Sequence, residues 1–276
     1  AVSGGTSTDI GIENVDVTGG KEAVGGLVGQ SENDATISGS SVTGVVDGKE
    51  LTGGLVGYHK DGTITLSSAD VDVTSRIDTN GEVGGLAGRN DGAITKSKAS
   101  GDVSGALVVG GLAGANSNGG SITESYATGD VSADEKFAGG LVGDNFPQST
   151  IADSYATGNV SGSIHIGGLV GRTLTDTDFS EPIVTRSFAT GAVSGDNSGG
   201  LLGKDEGGIL NDSYWDKGTT GRAGAGRADT TLVGFGATGD SGPAVEMTGL
   251  NATIEMHRLD FDSTWRPGDG DDQYPT

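Results

Sequence analysis

Four aromatic residues, Tyr126, Tyr155, Phe188 and Tyr214, each directly follow a serine and are separated by 29, 33 and 26 residues. Rings recurring at that spacing on a coiled chain would form a column on one face. An exposed column of rings can bind sugar faces, although like residues on neighbouring strands also stack simply to pack. The segment RTLTDTDFSEPIV (172–184) sets Asp176, Asp178 and Glu181 around Phe179. Hard cations want several oxygens, so these acids are candidate metal ligands, but their spacing matches no EF-hand and a solvated acidic loop is the plainer reading. Three acceptor sequons, Asn159-Val-Ser, Asn211-Asp-Ser and Asn251-Ala-Thr, are candidates for N-glycosylation in an exported protein. The histidines His59, His165 and His257 fall at unrelated positions, which argues against a shared metal site. No GxSxG elbow is present, and the acids are repetitive rather than paired over a groove, so no catalytic residue and no enzyme activity is expected. No cofactor is expected either, bound structural cations apart.

The composition limits what can position these residues. Of 276 residues 54 are Gly and only 33% are hydrophobic, so the core must be thin and the backbone ordered by main-chain hydrogen bonds. The glycines keep no every-third spacing, which excludes collagen. With 38 acidic against 16 basic residues the formal charge is −22, which excludes nucleic acid and disfavours an anionic membrane surface as partners. No stretch approaches the roughly 20 apolar residues of a membrane-spanning helix. The dispersed acids and scarce lysines fit a high-salt medium, where screening makes self-repulsion tolerable. An ordinary acidic secreted protein would also fit. There is no cysteine, hence no disulfide and no thiol chemistry.

A repeat runs through most of the chain. The pentapeptide GG-L-x-G starts at Gly25, Gly53, Gly84, Gly110, Gly139, Gly167 and Gly199, a spacing of 26 to 32 residues. Each copy is followed by an apolar anchor: Ile37, Ile64, Ile94, Ile122, Ile151, Val184 and Leu210. Three residues beyond every anchor stands a serine, from Ser40 to Ser213, and nine beyond the first six stands a valine, from Val46 to Val193. Offsets three, five, seven and nine share a parity and hold Ser, a small apolar residue, mostly Gly, and Val, the lining expected inside a narrow coil. The step from anchor to serine breaks that parity, so a bend is expected between them. Even offsets should face outward, among them the aromatic column at offset four and Asp72, Asp102, Asp130 and Asn159 at offset eight. Like charges about 5 Å apart in such a column would be costly unless salt or bound cations screen them.

Short strands, about 29 residues per circuit and no helical period predict an all-β fold, a right-handed parallel β-helix of seven to eight coils with three short strands per coil. A β-propeller is the runner-up and fits badly, because a blade needs four strands over a longer repeat. Residues 1–20 read as a degenerate first coil, 21–210 as the repeats and 211–276 as a cap. The cap would hold both tryptophans and one short helix over MTGLNATIEMHRLDF. An uncapped first coil would invite strand addition and so a homopolymer.

GGLVG, then GTI or SIT, then SYATGxVSG, resembles the GLUG repeat of secreted bacterial and archaeal surface proteins. SYWDKGTTG (213–221), Met247, LDFDSTW (259–265) and Tyr274-Pro275 are similar to the segment that closes such arrays. The resemblance implies an extracellular, adhesin-like or surface-layer role, and with the charge points to a halophilic archaeon or its virus. The partner would be a cell-surface glycan or a neighbouring protein subunit. A self-assembling filament or surface-layer subunit is the alternative function, and a polysaccharide-active β-helix enzyme is less favoured.

Overall fold

A computed structural model describes residues 1–20, 22–75, 81–221 and 234–235. Its strands are short and almost all parallel to the strand one repeat away, as a chain must be when each unit can bury its inner face only against the next. Two sheets have eight strands each, one per coil, and both follow the order of the chain. The fold is the expected parallel β-solenoid.

One circuit shows how the repeat is used. Glu82–Gly84 is a short strand, Ala87–Asn90 a second, Ala93–Thr95 a third, and Lys98–Ala99 with Val103–Gly105 form the last side before Val108–Gly110 opens the next coil. The GG-L step is a corner between two strands rather than a strand of its own. The residues leading into it therefore make a fourth, six-stranded sheet. The corner needs glycine because neighbouring coils touch there through backbone. A Cβ on Gly140 would lie 2.1 Å from the Gly168 carbonyl oxygen and 2.8 Å from the Ala156 methyl. The leucine of the motif points inward. Leu55, Leu86, Leu112, Leu141, Leu169 and Leu201 are fully buried, and the amide of each of the first five donates to the carbonyl of the next at 2.8–3.0 Å.

The expected bend lies one residue before each serine. Leu66, Lys96, Glu124, Asp153, Arg186 and Asp212 all have φ between 45° and 50°, and Gly39 has 58°. Non-glycine residues in this left-handed region cost about 1–2 kcal/mol each, so something local must hold them. The serines do. Each hydroxyl donates to the carbonyl two residues back, and each from Ser67 to Ser213 accepts the amide of the serine one coil earlier at 3.1–3.3 Å. All seven are buried. Offsets five and nine are buried throughout, so the inward parity holds.

At the near end, Val2–Ser3, Thr6–Thr8 and Gly11–Thr18 pair with the strands of the second coil. At the far end, Trp215 occupies the inward place held by alanine in the preceding coils, 3% exposed, with its ring against Gly200. Trp215–Asp216 pairs with Gly234–Phe235. Met247, the helix expected around it, Asn251, His257, Phe261 and Trp265 lie outside the described residues.

Candidate functional site

The outer columns of the solenoid are where a partner could touch it. The aromatic column forms in register, but not as an open sugar platform. Tyr126 and Tyr155 stack at 4.7 Å with planes 5° apart, and Tyr155 and Phe188 at 4.9 Å and 4°. The coil rise of about 4.8 Å nearly matches the ring-stacking distance, so ring faces are covered by the next ring and edges are left. Phe188 is fully buried, Tyr155 and Tyr214 are each 7% exposed, and Tyr126 is half-buried. Beyond Tyr126 the column continues as Lys98 and Ser68.

The aspartate column is exposed, and its carboxylates have a structural task. The Asp102 amide donates to Asp72 Oδ1 at 3.1 Å, Asp130 to Asp102 Oδ1 at 2.9 Å, and Asn159 to Asp130 Oδ1 at 2.8 Å. Asn159 Oδ1 in turn accepts the Ala192 amide at 3.1 Å. Beyond Asp72 the strand of this side is interrupted between its two short pieces, as between Lys98–Ala99 and Val103–Gly105, and the side chain supplies the acceptor for a free amide. Two carboxylates 5 Å apart in water repel by roughly 0.8 kcal/mol. A charge-assisted hydrogen bond of similar or larger size offsets that on every rung. Asn159, the first sequon residue, is thus an exposed rung of this column. Its neighbours Asp102, Ser104, Asp130, Ser132 and Ser161 line, with it, a shallow groove of about 300 Å³.

Two inner polar columns also shape the rod. Besides the corner serines there is a buried ladder two residues after the last glycine of each motif: Ser31, His59, Asn90, Asn116, Asn145 and Thr173. Asn90 Nδ2 donates to Asn116 Oδ1 at 2.8 Å, and Asn116 Nδ2 to Asn145 Oδ1 at 3.0 Å. The Ser31 hydroxyl lies 2.7 Å from His59 Nδ1. The sequence carried a signal for this ladder, a polar residue at the same offset in every copy. It is hard to weigh unaided, because polar residues usually mean surface. Burial drives the His59 pKa down to about 4.

A further cluster lies on the outer side of the glycine-motif strands. Arg172 forms a two-pronged pair with Asp144 at 3.0 and 2.6 Å and sits 4.1 Å above the Phe137 ring, which stacks on His165. Burial pushes the Asp144 carboxyl up despite Arg172, and lowers His165, with Lys204 and Arg172 adding to it. Nearer the start, Arg89 pairs with Glu82 and Asp91, and Tyr58 donates to Asp91 at 2.7 Å. Burial raises Glu82 to about 7 and Tyr58 to about 12. His59 and His165 share no site. In the 174–182 loop the Asp178 amide caps Asp176 Oδ1. Among the described residues no group of three His or acidic side chains is placed to hold a metal, and Asp176, Asp178 and Glu181 do not converge. Asn211 is exposed, but the hydroxyl of its sequon partner Ser213 is buried and donates to the Asn211 carbonyl at 2.9 Å.

The fold and its columns define a parallel β-solenoid with a small-residue interior and repeated outer faces. Residues 20–47, 79–104 and 105–132 of the repeat match the GLUG motif. Over 84 residues it is 48% identical to Halomucin of Haloquadratum walsbyi, covering 29% of this chain and 1% of that protein. A solved IgA1 protease structure is similar over 89% of this chain and 16% of its own length, at 21% identity and a TM-score of 0.48.

Proposed function

We propose that the protein works outside the cell as a non-enzymatic structural or adhesive module of a surface. Its outer faces meet a glycan, a cell or a neighbouring subunit. The observation that supports this most is the repetition itself. Like residues in register recur on one face coil after coil, from Ser38 through Thr65 and Thr95 to Thr123, so a weak contact made once is offered again at the next rung. The likeness to a stretch of Halomucin and the −22 charge support a surface in concentrated salt. Labelling intact source cells with a membrane-impermeant amine reagent tests the reading. Lys60, Lys96 and Lys98 should be modified before lysis. Modification only after lysis would place the protein inside and sink the proposal.

A further inference from the structure

The most regular outer face belongs to neither the aromatic nor the aspartate column. It is the sheet of anchor strands, Thr6–Thr8, Thr36–Ser38, Thr63–Thr65, Ala93–Thr95, Ser121–Thr123, Thr150–Ala152, Ile183–Thr185 and Ile209–Asn211. Every neighbouring pair is in register over all three residues with no bulge, whereas the long sheet on another side carries two register shifts. From the second coil on, the middle residue of each strand is a buried anchor, so the outer two lie on the outer face, all but Ala152 at least partly open to solvent. Of the sixteen outer places on all eight strands eleven are Ser or Thr and none is charged. At the chain's 20% charged content about three of sixteen would carry a charge by composition alone, and surface positions should exceed that. The hydroxyls are mostly half-buried, and Thr95 Oγ1 donates to Thr65 Oγ1 at 3.0 Å across coils.

The face is long and narrow. Eight strands span roughly 34 Å, and two outward columns about 7 Å apart make a strip near 240 Å². A stable protein partner needs about 800 Å² per side, so the strip is too small for one. A second copy laid face to face on the strip would bury no more than the same narrow area on each side. A polyanion would find no cation on the strip to pair with, and a polycation would prefer the aspartate column. What remains is an extended, uncharged chain rich in hydroxyls that both donate and accept, advancing about one residue per coil. We infer that this strip binds a neutral, unbranched polysaccharide laid along the solenoid axis. The inference rests on the surface role proposed above and names its partner.

The test is retention of the whole protein on insoluble cellulose, chitin and mannan in molar salt, with a sulfated polysaccharide as the charged comparison. Thr65→Asp with Thr95→Asp puts carboxylates in the strip, and Thr65→Val with Thr95→Val keeps its shape without hydroxyls. Ser132→Asp puts a carboxylate on another face, and thermal midpoints check folding. The wild type should be retained by at least one neutral polymer, each double variant at least tenfold more weakly, Ser132→Asp unchanged, and the sulfated polymer ignored. Absence of retention on every neutral polymer, or either double variant retained as well as the wild type, overturns the inference. So does sedimentation showing dimers that Thr65→Asp with Thr95→Asp dissolves, since a second copy would then own the face. A protein labelled on intact cells but retained by no polysaccharide would sink the inference alone and leave the surface role standing.

Discussion

Replacing Asn116 by Ala tests the idea that the inner asparagine ladder holds successive coils together. Asn116 is fully buried and central to its ladder. The substitution removes the bond it accepts from Asn90 at 2.8 Å, the one it donates to Asn145 at 3.0 Å, and a longer one to the Thr150 carbonyl at 3.3 Å. Asn90 Nδ2 keeps the Gly92 carbonyl at 3.1 Å, but Asn145 Oδ1 loses its donor in a site closed to water. Two well-formed bonds are worth about 1 kcal/mol each net, and one buried acceptor left unpaired adds about 1–3 kcal/mol. The expected loss is therefore about 3–5 kcal/mol. Because a solenoid transmits stability between neighbouring repeats, the loss should be centred on the coils either side of residue 116. Urea unfolding at fixed molar salt measures the total, and hydrogen exchange of peptides over 87–95, 113–123 and 142–152 locates it. Thr128→Ala is the reference: that side chain is exposed on the outside of a neighbouring coil, so its loss should stay below about 0.5 kcal/mol. If Asn116→Ala costs no more than Thr128→Ala, the ladder is a passenger and the reasoning fails.

Three further outcomes follow from the same geometry. Gly140→Ala should lower stability by about 3 kcal/mol in urea unfolding, since its methyl would meet the Gly168 carbonyl at 2.1 Å and neither backbone can yield freely. Asp130→Asn keeps an oxygen for the Asn159 amide and removes a like charge, so it should be stabilising in dilute buffer and neutral in molar salt. Asp130→Ala should lose up to about 1 kcal/mol in both, and thermal midpoints at two ionic strengths decide. His59 has its pKa lowered from 6.5 to about 4, so its contribution is fully present above pH 6.5 and is lost as pH falls toward 4. A pKa unit corresponds to 1.36 kcal/mol, so the loss is of order 3 kcal/mol, and His59→Asn should flatten the stability-versus-pH curve over that window. An unchanged slope would mean that another group carries the acid sensitivity.

The legible part of this protein was periodicity. The seven GG-L-x-G copies, the anchors and the serine three residues on place the coil, its bend and its inward parity, because a chain stacked on itself must repeat whatever faces its neighbour. The sequence also shows that the surface is acidic and the interior small. It could not show how outward residues treat one another. Tyr155 and Phe188 read as an open platform by parity alone, yet a coil rise equal to the ring-stacking distance turns their faces inward on the column. Asp102 and Asp130 read as a repulsive column, yet the broken strand beside them leaves amides that only a side chain can reach. Nothing in the sequence sets the buried Asn90, Asn116 and Asn145 apart from surface residues, because polarity is local and burial is not. The hydroxyl strip was present as T-x-T and S-x-T spellings scattered over a repeat of about 29 residues. Only the register between coils, a property of the packed backbone, assembles them into one face.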